Sequence, residues 1–310
     1  LHPSDYLRSQ PNRRRQNIRV VDPGALARLL DSGATLVLDA LDTFDPTMEV
    51  ATRALQWWSH ELVQVNAYLT TRSSSGFPIH WDDHDVIVVQ LAGEKTWDVR
   101  SYSRRVPMYR DAGPNSVVSE ETVWQGTMGP GDVMHIPRGY WHQAARDGNQ
   151  DPLSLHLTFG FVKRTGVDWF SWLADRARET ELFRQDLTRS GSPEERESER
   201  QRLEAAVIDL VRGSPPESYL RSRERSQPPA RQAPCFPPGE LPTSVVCVTE
   251  FAPEIERGDE MVTVYAGGKQ TTVKSKAEAE LSVLLSGCPV DVLTLHDESG
   301  LDIRLFPVRR

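Results

Sequence analysis

The sequence predicts a mainly β protein with added helices: a jelly-roll core, then a helical segment, then a small α+β module. Three observations predict it. Short strands with a period of two crowd residues 61–165. Gly/Pro turns separate them, as in sandwiches and barrels of jelly-roll type. Beyond residue 165 the apolar period changes to that of a helix.

Before the strand-rich region, Pro23-Gly24 leads into an apolar-periodic stretch, Ala25 to Leu30, that reads as a helix. Ala34 to Leu38 reads as a short strand. Thr52 to Leu62 reads as an amphipathic helix, with Trp57 and Trp58 placed in the core. Val63 to Thr70 alternates as a half-buried strand does, and Val86 to Leu91 is a continuous apolar run. The turn Ala92-Gly93-Glu94 precedes a strand from Lys95 to Val99. Gly129 to Asp132 turns into Val133 to Ile136, Pro137 to Gly139 turns again, and Leu153 to Phe161 is a further strand.

Trp169, Trp172, Leu173 and Ala177 then fall at helical spacing, as do Leu203, Ala206, Val207, Leu210 and Val211. Residues 214–243, rich in Pro, Ser and Arg, read as a linker. Beyond it lie strands near Val245 to Cys247 and Met261 to Tyr265, a helix from Lys276 to Leu285, and a last strand at Ile303 to Phe306. The division is 1–165, 166–243 and 244–310.

Composition narrows the class. The 310 residues are 38% hydrophobic and 26% charged, the balance of a globular protein with a sizeable core. No apolar run approaches the ~18 residues of a membrane span. Residues 1–15 are polar and Arg-rich and carry no apolar leader core; the chain starts at Leu1, so a leader upstream stays open. A net charge of -8 argues against wrapping nucleic acid by bulk electrostatics. The basic stretches at Arg13 to Arg15 and Arg221 to Arg231 read as solvated surface. Three cysteines without a CxxC spacing exclude a disulfide framework and a zinc ribbon, and suit a reducing cytoplasm.

Chemistry concentrates between residues 76 and 142. His80 and Asp82 are two apart and share a face if the segment is extended. His142 follows sixty residues after Asp82, in the run Gly131 to His142. Two imidazoles and one carboxylate on one face leave the other face of an octahedral metal open, which suits non-haem Fe(II). An isolated HxD is a common chance pattern, and a lone histidine is more often structural than a ligand. The order HxD, GxKxW and GD…IPxGxxH within one β-rich segment is far more specific.

The stretch from Val65 to Gly160 resembles the JmjC/cupin oxygenases, especially their ribosomal-oxygenase branch. The matching pieces are Asn66 to Thr70, His80 to Asp85, Gln90 to Trp97, Gly131 to His142 and Ser154 to Thr158. They cover about a third of the chain in family order. The resemblance implies a double-stranded β-helix core, Fe(II) held by His80, Asp82 and His142, and 2-oxoglutarate and O2 as co-substrates. It implies that Lys95 meets the distal carboxylate of 2-oxoglutarate, for which a charge-assisted partner is the physical requirement. It places Asn66 beside the co-substrate and Tyr68 beside the substrate; a polar strand edge is the alternative reading of both. Thr70 shares their parity. His84 and His135 are expected to be structural, and His156 to stand behind the ligands.

The implied activity is hydroxylation of a side chain of a protein or peptide, with a ribosomal protein as the favoured substrate class. The negative charge suits such a basic partner. The resemblance further implies a homodimer through the helical segment and a winged-helix-like C-terminal module; the cysteine usage points to a cytoplasmic protein. Two departures bear on the substrate. Thr71 to Ser75 replaces a proline-bearing entry strand, and Gly160 stands where some relatives carry a small polar residue. These motivate a second reading, an oxygenase of a peptide natural product or other small substrate. A third reading is a cupin-like metal-binding module without turnover. Lysine demethylation is open to the same fold.

Overall fold

The computed structural model describes residues 2–110, 113, 115–146, 151–162, 164–229 and 243–291. The expected strand at Ile303 to Phe306 lies outside the described residues. The chain forms two compact units, one from Leu1–Leu55 with Glu61–Lys163, the other from Gln56–His60 with Arg164–Arg310.

The first unit opens with a hairpin, β1 (Leu7–Pro11) and β2 (Asn17–Val21), then helix α1 (Pro23–Asp31). Asp22 caps α1 by accepting from the Ala25 amide, and Pro23 occupies the first turn, where its missing N–H costs nothing. After β3 (Leu36–Leu38) comes α2 (Pro46–Ser59), which starts six residues before the amphipathic pattern suggests. Asp45 explains the difference: its carboxylate accepts from the amides of Thr47 and Met48. Trp58, expected in the core, is 75% exposed on α2.

Eight further strands follow: β4 (Val63–Thr70), β5 (Ser74–Ser75), β6 (Asp85–Ala92), β7 (Lys95–Tyr102), β8 (Thr122–Met128), β9 (Val133–Ile136), β10 (Tyr140–Arg146) and β11 (Ser154–Phe161) complete the set begun by β3. They form two antiparallel sheets, ordered β3-β4-β11-β6-β9 and β5-β10-β7-β8. This is the jelly-roll, or double-stranded β-helix, read from the sequence.

Alternation sorts the side chains between two apolar clusters. Val86, Val88 and Ile136 of one sheet meet Trp97, Val99 and Met128 of the other. On the opposite face of the five-stranded sheet, Val63, Val65, Ala67, Leu157 and Phe159 pack with Met48 and Leu55 of α2. Asn66, Tyr68 and Thr70 are thereby turned away from α2 and toward the second sheet, because their parity is opposite to Val65 and Ala67. Gly93 makes the β6–β7 turn at φ +59°, and a Cβ there would lie 2.0 Å from the Leu153 carbonyl oxygen. Only glycine satisfies both constraints.

The second unit contains α3 (Gly166–Ala177), α4 (Glu181–Arg184), α5 (Pro193–Gly213) and α6 (Pro216–Ser226). Reciprocal capping boxes start α3 (Thr165 with Asp168) and α5 (Ser192 with Glu195). Helix α6 corrects the linker expectation for residues 214–243. Its arginines are fixed by a three-stranded sheet, β13 (Glu254–Arg257), β14 (Met261–Ala266) and β15 (Lys269–Lys274), introduced after β12 (Ser244–Val245). Arg221 and Arg225 bind Glu254 and Glu256, and Arg225 lies 3.7 Å over the Tyr265 ring. A run of charge with no apolar period was thus folded by partners distant in sequence. Helix α7 (Glu278–Leu284) and β16 (Val290–Asp291), paired with β12, complete the unit.

Candidate metal centre

His80 and His142 are brought together by backbone first. The His80 amide donates to the His142 carbonyl at 3.0 Å and the His142 amide donates back at 2.7 Å, an isolated antiparallel bridge. His142 lies on β10; His80 lies in the irregular segment before β6. The bridge sets the rings 4.3 Å apart. Asp82 is tied to the same corner, because its carbonyl accepts from the Gly139 amide at 2.8 Å. Gly139 has φ +82°, the left-handed turn that lets β10 begin there.

One donor atom from each of His80, Asp82 and His142 lies within 4.8 Å of the others, and this is the one such cluster among the described residues. Both imidazoles are oriented for ligation. Nδ1 of His80 is 2.9 Å from the Pro78 carbonyl, and Nδ1 of His142 is 3.1 Å from the Tyr140 carbonyl. A carbonyl can only accept, so each Nδ1 carries the proton and each Nε2 presents its lone pair. Nε2 of His142 stands 3.6 Å from Asp82 Oδ2. Burial, then the neighbouring His80, pushes the His142 imidazole below its ordinary value, which favours the neutral ligating form. The phenol of Tyr109 donates to Asp82 Oδ1 at 3.3 Å. Burial and then the carboxylates Asp82 and Asp83 push that phenol up to about 12. Tyr109 lies in no recognisable motif and had no sequence signal.

The cluster stands where two cavities meet. The inner one, about 70 Å³, is lined by His80, Asp82, His142, Lys95, Trp97 and His156 among others. The outer one, about 630 Å³, shares Tyr68, Phe77, His80 and Asp82 with it and adds Gln64, Asn66, Asp83, His84 and Gly160.

Lys95 is 2% exposed, and its ammonium donates to Thr70 Oγ1 at 3.2 Å. Burial, and then Arg146, push it down to about 8. No carboxylate pairs with it among the described residues. Around it, Trp97 Nε1 and His156 Nδ1 are buried without a hydrogen-bond partner. His156 stacks on Tyr68 at 4.8 Å and meets Trp97 edge-on, and burial, then Lys95, push it down to about 3. It is therefore a neutral wall of the inner cavity. A buried cation beside the unpartnered indole N–H of Trp97 fits an anion.

The other residues fall as follows. Tyr68 lines both cavities. Asn66 lines the outer one alone, its Oδ1 accepting from Ala40 N at 2.9 Å and Gln64 Nε2 at 3.1 Å, so it stands apart from Lys95. His84, expected to be structural, lines the outer cavity, and its Nε2 would lie 2.9 Å from a Cβ at position 160. His135 stays outside both cavities, on β9 near Asp85.

Fold and site together give a jelly-roll with a His-Asp-His cluster able to hold a metal ion and a small inner cavity lined by Lys95. Residues 43–168 match the JmjC domain family. Human ribosomal oxygenase 1 is 36% identical over 148 residues, 46% of this chain and 22% of that protein. The bifunctional lysine-specific demethylase and histidyl-hydroxylase of Caenorhabditis elegans is 34% identical over 126 residues, 36% of this chain and 16% of that protein. The chain thus spans about a quarter or less of the length of these curated relatives. The Escherichia coli ribosomal oxygenase YcfD shares the fold, with a TM-score of 0.55 at 18% identity over 86% of this chain and 73% of that one. A structure of YcfD with cobalt and 2-oxoglutarate gives 0.53 at 17% identity, again over 86% and 73%. The chain is thus similar to the JmjC domain family over residues 43–168, and to ribosomal oxygenases in sequence.

Proposed function

We propose that the chain is an Fe(II)- and 2-oxoglutarate-dependent oxygenase that hydroxylates a side chain of a protein, with a ribosomal protein as the substrate class. The observation that carries this reading is the placement of His80, Asp82 and His142 where a small cavity lined by Lys95 meets a larger outer one. His80, Asp82 and His142 would hold the iron, and three ligands leave positions for a co-substrate and O2. Bound iron and 2-oxoglutarate would supply the oxidation, coupling O2 reduction and decarboxylation to succinate with insertion of hydroxyl into a C–H bond.

The chain's own residues supply position and charge. Lys95 holds the far carboxylate of 2-oxoglutarate, with the indole N–H of Trp97 and the ring of His156 in the same cavity. Thr70 keeps the ammonium aimed inward while the cavity is open. Tyr68 and His156, stacked together, separate this end from the substrate. Tyr109 orients Asp82. The outer cavity receives the substrate side chain against Asn66, Tyr68 and Gly160. Asp83 and the net charge of -8 favour a basic partner.

We read residues 1–165 as the oxygenase domain, 166–243 as a dimerising helical segment and 244–310 as a winged-helix-like module. Exposed Phe170, Val207 and Ile208 support a homodimer through the helices. Cys247 and Cys288 are free, and no described helix is long and apolar enough to cross a membrane, which supports a cytoplasmic assignment. The test is incubation with dissociated ribosomal proteins, Fe(II), 2-oxoglutarate and air, followed by peptide mass mapping. Gain of one oxygen on a single residue is the expected result. Succinate release with every ribosomal protein unchanged would favour the second reading, a smaller peptide substrate, which the lack of a side chain at Gly160 in the outer cavity supports.

A further inference from the structure

Strand β10 pairs with β7 through Ala144 opposite Trp97 and Ala145 opposite Thr96. Arg146 and Lys95 each stand one residue beyond that last pair, at the end of β10 and the start of β7. Both side chains are turned inward. His142 and Ala144 line the inner cavity and Arg146 continues their row; Trp97 lines it and Lys95 continues the facing row. Arg146 is 4% exposed and Lys95 2%. Like charges on neighbouring strands repel, and burial removes the water that would screen them. Among the described residues neither is paired with a carboxylate. Lys95 has only Thr70 Oγ1, and Arg146 donates Nη2 to the Asp151 carbonyl while its Nη1 is buried without a partner. Arg146 stands close enough to act on Lys95, being the second cause, after burial, of its lowered value. A buried, facing pair of cations with a free N–H is stable when an anion bridges them.

We propose that Arg146 is a second cation for the far carboxylate of the co-substrate, forming with Lys95 a clamp that selects dicarboxylic over monocarboxylic 2-oxo acids. The proposal rests on the oxygenase reading above and deepens it. The clamp holds one carboxylate from two adjacent strands. A 2-oxo acid ending in a methyl group would leave both cations buried and unpaired. Selectivity therefore comes as much from rejecting the wrong acid as from binding the right one.

The test is calorimetric binding to the full chain loaded anaerobically with Mn(II), using 2-oxoglutarate and 2-oxovalerate, which carries a methyl in place of the far carboxylate. Arg146→Gln is expected to weaken 2-oxoglutarate by about tenfold to a hundredfold, the span of a hydrogen bond to a charged group. It should leave 2-oxovalerate unchanged or improved, and Arg146→Lys should recover part of the loss. Equal weakening of both acids would assign Arg146 a merely structural role and overturn the clamp. Unchanged 2-oxoglutarate binding in Arg146→Gln would overturn it too, with the oxygenase reading intact. If Arg146→Gln does not fold, Arg146→Lys decides: an unchanged ratio of the two affinities refutes the clamp. Failure of the wild type to bind 2-oxoglutarate at all would remove the oxygenase reading and the clamp together.

Discussion

Lys95→Met should make the ligand-free protein more stable while abolishing co-substrate binding. Lys95 is almost wholly buried, so solvent screening does not reduce its burial penalty. Its value falls from 10.5 to about 8 on folding. At 1.36 kcal/mol per pH unit this is about 3 kcal/mol against the native state at pH 7. Methionine keeps the apolar stem and removes the charge, at the expense of the Thr70 hydrogen bond, worth about 1 kcal/mol. The net gain is then about 2 kcal/mol at pH 7. The sign follows from proton binding. The unfolded chain holds the Lys95 proton more tightly, so wild-type stability rises between about pH 8 and 10.5 as the penalty disappears. The advantage of Lys95→Met must therefore shrink over that window. Urea unfolding without metal or 2-oxoglutarate, at pH 7 and again near pH 10.5, measures it, with the m-value as a check on the denatured state. A variant less stable than wild type at pH 7, or a gain identical at both pH values, would refute the reasoning.

Three other outcomes are expected. Binding of 2-oxoglutarate to the metal-loaded protein weakens as pH rises above about 8, because Lys95 must be protonated; calorimetry in buffers of different ionisation enthalpy should show proton uptake there. Tyr109→Phe removes the donor to Asp82 Oδ1 and lowers divalent-metal affinity about tenfold, as read by Mn(II) titration. Gly160→Val crowds His84 in the outer cavity; it should stop peptide hydroxylation and leave 2-oxoglutarate affinity within about twofold, since the inner cavity is untouched.

The strands that carry the site were legible because each obeys a simple rule. Val63–Thr70 and Asp85–Ala92 alternate or run apolar, and the expected boundaries match within a residue or two. The parity that set Asn66, Tyr68 and Thr70 on one face is seen. His80 and Asp82 come together with His142 for another reason than the extended segment assumed. His80 is pinned by a two-bond bridge to His142, a long-range contact that spacing cannot reveal. Strand β8 was missed because Thr122–Met128 is mostly exposed and has weak alternation. Tyr109 and Arg146 were missed for a shared reason. Each gains its role from a partner across the fold, Asp82 for one and Lys95 for the other. Helix α6 was hidden by composition, because its Arg residues answer to Glu254 and Glu256 rather than to an apolar face.

The central claim is a metal corner served by a co-substrate held from Lys95. Its most direct test is anaerobic titration with Fe(II) and then 2-oxoglutarate, followed by admission of air and assay of succinate, on wild type, His80→Ala and Lys95→Ala. The account predicts that wild type binds both and slowly releases succinate. His80→Ala should lose the metal, and Lys95→Ala should keep the metal and lose 2-oxoglutarate. A wild type that binds neither, or a Lys95→Ala variant that binds 2-oxoglutarate as tightly as wild type, would contradict it.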